Sequence, residues 1–257
     1  MTVEVHHVVE GPQDGPLVVL SESLGSDLRM WNAQASALAA TGYRVVRYDH
    51  RGHGGSPAPA APYTLDELGA DALALLDNIG ADRVHWVGLS LGGMVGMWLA
   101  EQAPERLKRM VLVCTSAKLG PREMWDARIA TVRDGGTATQ AGPAVDRWFT
   151  EDFRAANPEA VALAEDMVIG TPDEGYLGCC IAIRDMDLTE GLPSITVPTL
   201  VIAGAQDKST PPDHAERIAT AVPGARLEVL DPGAHLVAVE QPDRVTDLII
   251  DHLGGLA

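Results

Sequence analysis

Val84-His85-Trp86-Val87-Gly88-Leu89-Ser90-Leu91-Gly92-Gly93-Met94-Val95-Gly96-Met97-Trp98-Leu99-Ala100 is the stretch on which the reading of this chain turns. Val84–Gly88 is a short apolar run and predicts a buried strand. Leu91–Gln102 is apolar, long enough for three helical turns, and predicts a helix. Between them Gly88-Leu89-Ser90-Leu91-Gly92 fits G-x-S-x-G, the pattern of a sharp strand-to-helix turn that exposes a strained serine hydroxyl. Small residues on either side of Ser90 let strand and helix approach closely. The helix start behind Ser90 offers unpaired N–H groups and a positive dipole end. Ser90 is therefore the candidate nucleophile, and the Leu91 N–H a candidate oxyanion donor.

Working outward, the same alternation recurs. Strands are predicted at Leu17–Ser21, Tyr43–Tyr48, Met110–Cys114, Thr199–Ala203 and Arg226–Leu230. Helices are predicted at Leu65–Ile79 with Thr64 as N-cap, near Asp213–Ala221, and from Pro242 to about His252. Strands rich in Val and Leu, each followed by a helix, imply an α/β fold with a mostly parallel central sheet covered on both faces. The rhythm breaks between Lys118 and Leu192, which is helical in pattern and has no convincing strand. The expected organisation is a core of residues 1–117 and 193–257 carrying a helical cap, residues 118–192.

A serine hydroxyl needs a base. In turns of this kind the chain order is serine, acid, histidine. His235, in Asp231-Pro232-Gly233-Ala234-His235 after the last predicted strand, is the late loop histidine that this order requires. His50 and His53 precede the serine, and His252 falls in a helix. Asp207 ends Gly204-Ala205-Gln206-Asp207, the stretch directly after Thr199–Ala203, and is the candidate orienter of His235. Asp213 reads as a helix cap, and Asp231 is too near His235 in sequence to reach around it. The second oxyanion donor is expected in Ser21-Glu22-Ser23-Leu24-Gly25, with the Ser23 N–H first and Leu24 next.

The chain has 257 residues, 46% hydrophobic and 21% charged, with a formal net charge of −17. That field repels nucleic acid and anionic membranes, so neither is an expected partner. It also disfavours an anionic substrate at long range, so an anion would need local cations in its pocket. Three cysteines, Cys114, Cys179 and Cys180, give no disulfide framework and fit a reducing cytoplasm. The start of the chain reads as no signal peptide, and no apolar run is long enough for a membrane span. No spacing suggests a metal site, and the adjacent Cys179-Cys180 pair reads as packing.

The succession His50-Arg51-Gly52-His53-Gly54-Gly55-Ser56, Gly88–Gly93, Gly204-Ala205-Gln206-Asp207 and Pro232–His235 resembles the α/β-hydrolase superfamily over the whole chain. Three further stretches resemble 3-oxoadipate enol-lactonases of aromatic degradation: Ser21–Trp31, Gly175–Leu188 with Cys179-Cys180, and Trp125 with Arg128 and Arg133. Glu22 departs from that family's usual Asn, and a carboxylate there is unfavourable unless it points away or is paired. The resemblance implies a cytoplasmic serine esterase that needs no cofactor and opens a small anionic lactone. Arg128 is the first candidate for the substrate carboxylate, Arg133 and Arg184 come next, and Trp125 would wall the pocket. The same triad would serve a general carboxylesterase, a carbon–carbon bond hydrolase or a cofactor-free haloperoxidase. A haloalkane dehalogenase would need a carboxylate at position 90. An intact triad argues against a non-catalytic receptor.

Overall fold

A computed structural model describes residues 1–254. Its first half contains β1 (His7–Glu10), β2 (Leu17–Ser21), α1 (Asn32–Ala40), β3 (Arg44–Tyr48), α2 (Leu65–Asn78), β4 (Val84–Leu89), α3 (Leu91–Gln102) and β5 (Leu107–Val113). Five helices follow without an intervening strand: α4 (Arg122–Gly135), α5 (Ala141–Trp148), α6 (Glu151–Ala156), α7 (Pro158–Gly170) and α8 (Asp173–Asp185). The sheet then resumes with β6 (Thr199–Gly204), α9 (Pro212–Ala221), β7 (Arg226–Leu230), α10 (Val237–Glu240) and α11 (Pro242–Leu253).

The seven strands lie in the order β1-β3-β2-β4-β5-β6-β7, all parallel except β1, which pairs antiparallel with β3. Alternate side chains feed two cores. Val18, Leu20, Val87, Leu89, Val111 and Ile202 pack with α1 and α11 on one face. Val19, Val46, Trp86, Met110 and Val201 pack with α2, α3 and α9 on the other. Both faces are buried, so these strands read as continuous apolar runs. β2 leads to β3 on one side and, through α2, to β4 on its other side, so the winding reverses between β2 and β4. The crevice beyond the strand ends at such a reversal is the usual ligand site of an open α/β sheet. The loop after β2 and Ser90 after β4 both lie there.

Thr64 caps α2 as its sequence predicts, with a reciprocal Glu67 bond: Glu67 N–H donates to Thr64 Oγ1 at 3.2 Å and Thr64 N–H to Glu67 Oε2 at 3.1 Å. Two elements carry too little signal to be predicted. β1 is a four-residue, half-buried edge strand, and α1, Asn-Ala-Gln-Ala-Ser-Ala-Leu-Ala-Ala, has no apolar stripe to speak of. β5 begins three residues earlier than expected and ends at Val113, because Cys114 turns away with a φ of 44°. No helix among the described residues is long and apolar enough to cross a membrane.

Candidate active site

Ser90 joins β4 to α3 at φ 54° and ψ −110°, a backbone state that non-glycine residues rarely adopt. Neighbours hold it there. Its N–H donates to Val113 O at 2.9 Å, and its carbonyl accepts from Thr115 Oγ1 at 2.6 Å. The glycines of the motif are required by space: a Cβ on Gly88 would lie 2.1 Å from Gly92 O, and one on Gly92 would lie 2.2 Å from Ser21 O. The turn can form only where both positions lack a side chain.

His235 lies between β7 and α10 and is almost fully buried. Its Nδ1 is 2.8 Å from Asp207 Oδ2. Asp207 in turn accepts Ser209 N–H at 2.7 Å and Thr210 N–H at 3.0 Å on Oδ1, and the Thr210 hydroxyl at 2.8 Å on Oδ2. Burial opposes ionisation of Asp207, but His235 and the Thr210 donors outweigh it and hold the carboxyl below its usual range. A carboxylate at Nδ1 keeps the proton on that nitrogen and leaves the lone pair on Nε2. His235 and Ser90 line one cleft. The alternative acids lie elsewhere: Asp213 is exposed and paired with Arg217, and Asp231 is exposed.

Around the serine, Ser23 and Leu24 both border the cleft. The Ser23 N–H donates to Ser26 Oγ at 3.1 Å. Among the described residues the N–H groups of Leu24 and Leu91 have no acceptor. Of the two loop candidates named from sequence, Leu24 is the one whose N–H is free, while the Ser23 N–H is bonded to Ser26 Oγ. The next residue fixes the loop: Gly25 N–H donates to His53 Nε2 at 2.9 Å. That bond needs a neutral imidazole, and burial lowers His53 to about 4.

The helices after β5 supply the rest of the cleft. Trp125 is buried, donates Nε1–H to Leu119 O at 2.9 Å, and faces the cleft beneath Arg128, whose guanidinium carbon sits 4.6 Å from the ring centroid. Arg147, on α5, joins Arg128 in the lining with Tyr176, Trp148 and Lys208. Arg147 carries no site signal in the sequence: nothing in its local pattern separates it from a surface arginine. Burial, then the facing Arg128, make its charge costly and lower its pKa. Neither guanidinium forms an ion pair with a carboxylate among the described residues, and no Asp or Glu lines the cleft. Two expected arginines are elsewhere. Arg133 is exposed on α4 outside the lining, and Arg184 is spent on Asp126 at 2.8 Å and Asp185 at 2.7 Å.

Cys114, Cys179 and Cys180 are buried thiols, and burial pushes Cys180 up to about 12. Donor atoms of Cys114, Asp207 and His235 lie within 4.8 Å of one another, so these three residues could approach a cation. The Asp207–His235 hydrogen bond already uses two of them, and a cation there would have to displace it.

With this geometry in view, comparison with known proteins is direct. Residues 16–242 match the family model described as the alpha/beta hydrolase fold. The chain belongs to that family. It is 39% identical to 3-oxoadipate enol-lactonase 2 of Acinetobacter baylyi, over 93% of this chain and 89% of the relative. The crystal structure of an enol-lactonase from Burkholderia xenovorans superposes with a TM-score of 0.95 at 39% identity, covering 98% of this chain and 96% of that one. A putative carbamate hydrolase, RutD, of Stutzerimonas stutzeri is 31% identical over 98% of this chain and 96% of the relative. The α/β-hydrolase fold and the similarity to enol-lactonases, both expected from the motifs, are thereby shown.

Proposed function

We propose that this hydrolase opens 3-oxoadipate enol-lactone to 3-oxoadipate through a Ser90–His235–Asp207 triad, without a cofactor. The observation that carries the reading is the cleft itself. A protein of net charge −17 surrounds Ser90 and His235 with Arg128, Arg147 and Lys208 and, among the described residues, with no acidic side chain. Like-charged guanidiniums facing one another gain most from a bound anion, and arginine suits a carboxylate by its forked geometry. The enol-lactonases among the relatives support the same substrate.

In this reading Ser90 Oγ attacks the lactone carbonyl as His235 Nε2 takes its proton, and Asp207 stabilises the imidazolium. The Leu24 and Leu91 N–H groups receive the developing oxyanion, each contributing roughly 3 kcal/mol by analogy with known donors. Collapse expels the enolate oxygen of the ring, which His235 protonates. The enol becomes a ketone on the same acyl chain, so the ring does not re-close. Water, deprotonated by His235, then attacks the ester carbonyl, and release of Ser90 Oγ yields the second carboxylate. Residues 118–192 act as a cap over the core of 1–117 and 193–257, with Arg128 and Arg147 holding the substrate's free carboxylate and Trp125 walling the ring.

A substrate panel tests this. The enol-lactone, a saturated lactone, p-nitrophenyl acetate and a carbamate are compared by kcat/KM. The expected result is a preference of at least about a hundredfold for the enol-lactone, the size of two charge-assisted contacts. Equal or better turnover of the neutral ester or the carbamate would overturn the substrate assignment.

A further inference from the structure

Glu22 immediately follows β2, and its side chain is completely buried, yet it does not line the cleft. Its Oε1 accepts the His50 N–H at 2.9 Å, and its backbone carbonyl accepts the Gly92 N–H at 2.9 Å. One residue thus joins the oxyanion loop to both the turn after β3 and the nucleophile helix. Oε2 is buried with no hydrogen-bond donor among the described residues. The Asp49 carboxyl group lies close enough to the Glu22 carboxyl for the two to interact directly. Asp49 already accepts Leu28 N–H at 2.7 Å and Gly55 N–H at 2.8 Å, and lies 2.8 Å from His6 Nδ1. The other titratable groups facing Glu22 are Asp27 in its own loop, Tyr48 and His50 around the end of β3, and Cys179 on α8. None of these offers Glu22 a cation: burial keeps His50 neutral, lowering it to about 3.

We propose that Glu22 is a positioning residue, present as the neutral acid with its Oε2–H donating to Asp49, and that this bond locks the loop carrying the Leu24 N–H in its receiving orientation. Two facing carboxylates in a buried space cannot both be ionised. Asp49 is already surrounded by donors, so the proton of the pair belongs on Glu22. Burial first, and then Asp49, hold the Glu22 carboxyl well above its usual range, in keeping with that placement. Glu22 on one side of Leu24, and the Gly25–His53 bond on the other, leave the Leu24 peptide little freedom to turn. The carboxylate that looked misplaced beside an oxyanion hole carries no charge there. The inference rests on the reading of Ser90 and Leu24 given above.

Two measurements test it. Infrared difference spectra of the wild-type protein and Glu22→Gln at pH 8 should show a protonated carboxylic acid band that the variant lacks. Its absence would overturn the proposal, and this readout involves no substrate, so it stands apart from the hydrolase reading. In p-nitrophenyl acetate turnover, Glu22→Gln, whose amide can donate to Asp49, should keep kcat within about threefold of wild type. Glu22→Ala should lose about tenfold or more in kcat with KM little changed, in line with a misplaced oxyanion donor. Equal losses in both variants, or an unchanged kcat in Glu22→Ala, would overturn it. If turnover instead survives Ser90→Ala, the hydrolase reading fails while the infrared result stands.

Discussion

The floor and the roof of the cleft are built in opposite ways. The floor is made of turns at the carboxyl ends of β2, β4, β6 and β7, where Ser90, His235 and Asp207 are buried and hydrogen bonds fix the Ser90 backbone, the Asp207 carboxylate and His235 Nδ1. The roof is made of helices inserted between β5 and β6, where Arg128 and Arg147 stand half-buried with no carboxylate ion pair among the described residues. The floor has paid its electrostatic costs within the protein, and the roof leaves a positive charge unbalanced. In the proposed function, chemistry belongs to the first and substrate choice to the second.

This contrast can be broken by mutation. Arg147→Ala and Arg128→Ala should each lower kcat/KM for the enol-lactone by about tenfold to a hundredfold, the worth of a hydrogen bond to a charged group, mostly through KM. Turnover of p-nitrophenyl acetate should change by less than about threefold. Equal losses on both substrates would make the arginines structural and dissolve the distinction between floor and roof.

A smaller effect sharpens it from the other side. His50 and His53, in the turn that braces the floor, are wholly buried, and burial lowers them from 6.5 to about 3 and about 4. The unfolded chain takes up these protons near pH 6.5, while the folded chain resists until far lower. Their contribution to stability is therefore complete above pH 6.5 and is lost as the pH falls toward about 4 and about 3. At pH 5 the loss is about 2 kcal/mol per histidine. Urea unfolding at pH 7 and pH 5 should show this decline, and His53→Gln should reduce it by about 2 kcal/mol. A slope unaltered by the substitution would contradict the neutral His53 on which the Gly25 bond depends.

The two regions also differ in how much of them the sequence discloses. The floor is legible because its signals are local: a serine in Gly-x-Ser-x-Gly, an aspartate in the loop after Thr199–Gly204, a histidine in the loop after Arg226–Leu230. A parallel sheet then brings those strand ends together without further information. Backbone donors leave no side-chain trace, and so Ser23 could be told from Leu24 only once Ser26 Oγ was seen to occupy the Ser23 N–H. The roof obeys no such register. Arg184 precedes Asp185, its ion-pair partner, and that adjacency was a usable sign that its charge is spent. Arg147 has no comparable cue, since its cleft position depends on how α5 packs against α7 and the loop before α10. Leu236 N–H, for example, reaches Trp148 O at 2.9 Å.

The most direct test of the account asks where a covalent acyl-type adduct forms. A fluorophosphonate should label the wild-type protein once, on the peptide containing Ser90, and Ser90→Ala should take no label and lose about 10⁶-fold in kcat on p-nitrophenyl acetate. Labelling at another residue, or turnover that survives in Ser90→Ala, would contradict it.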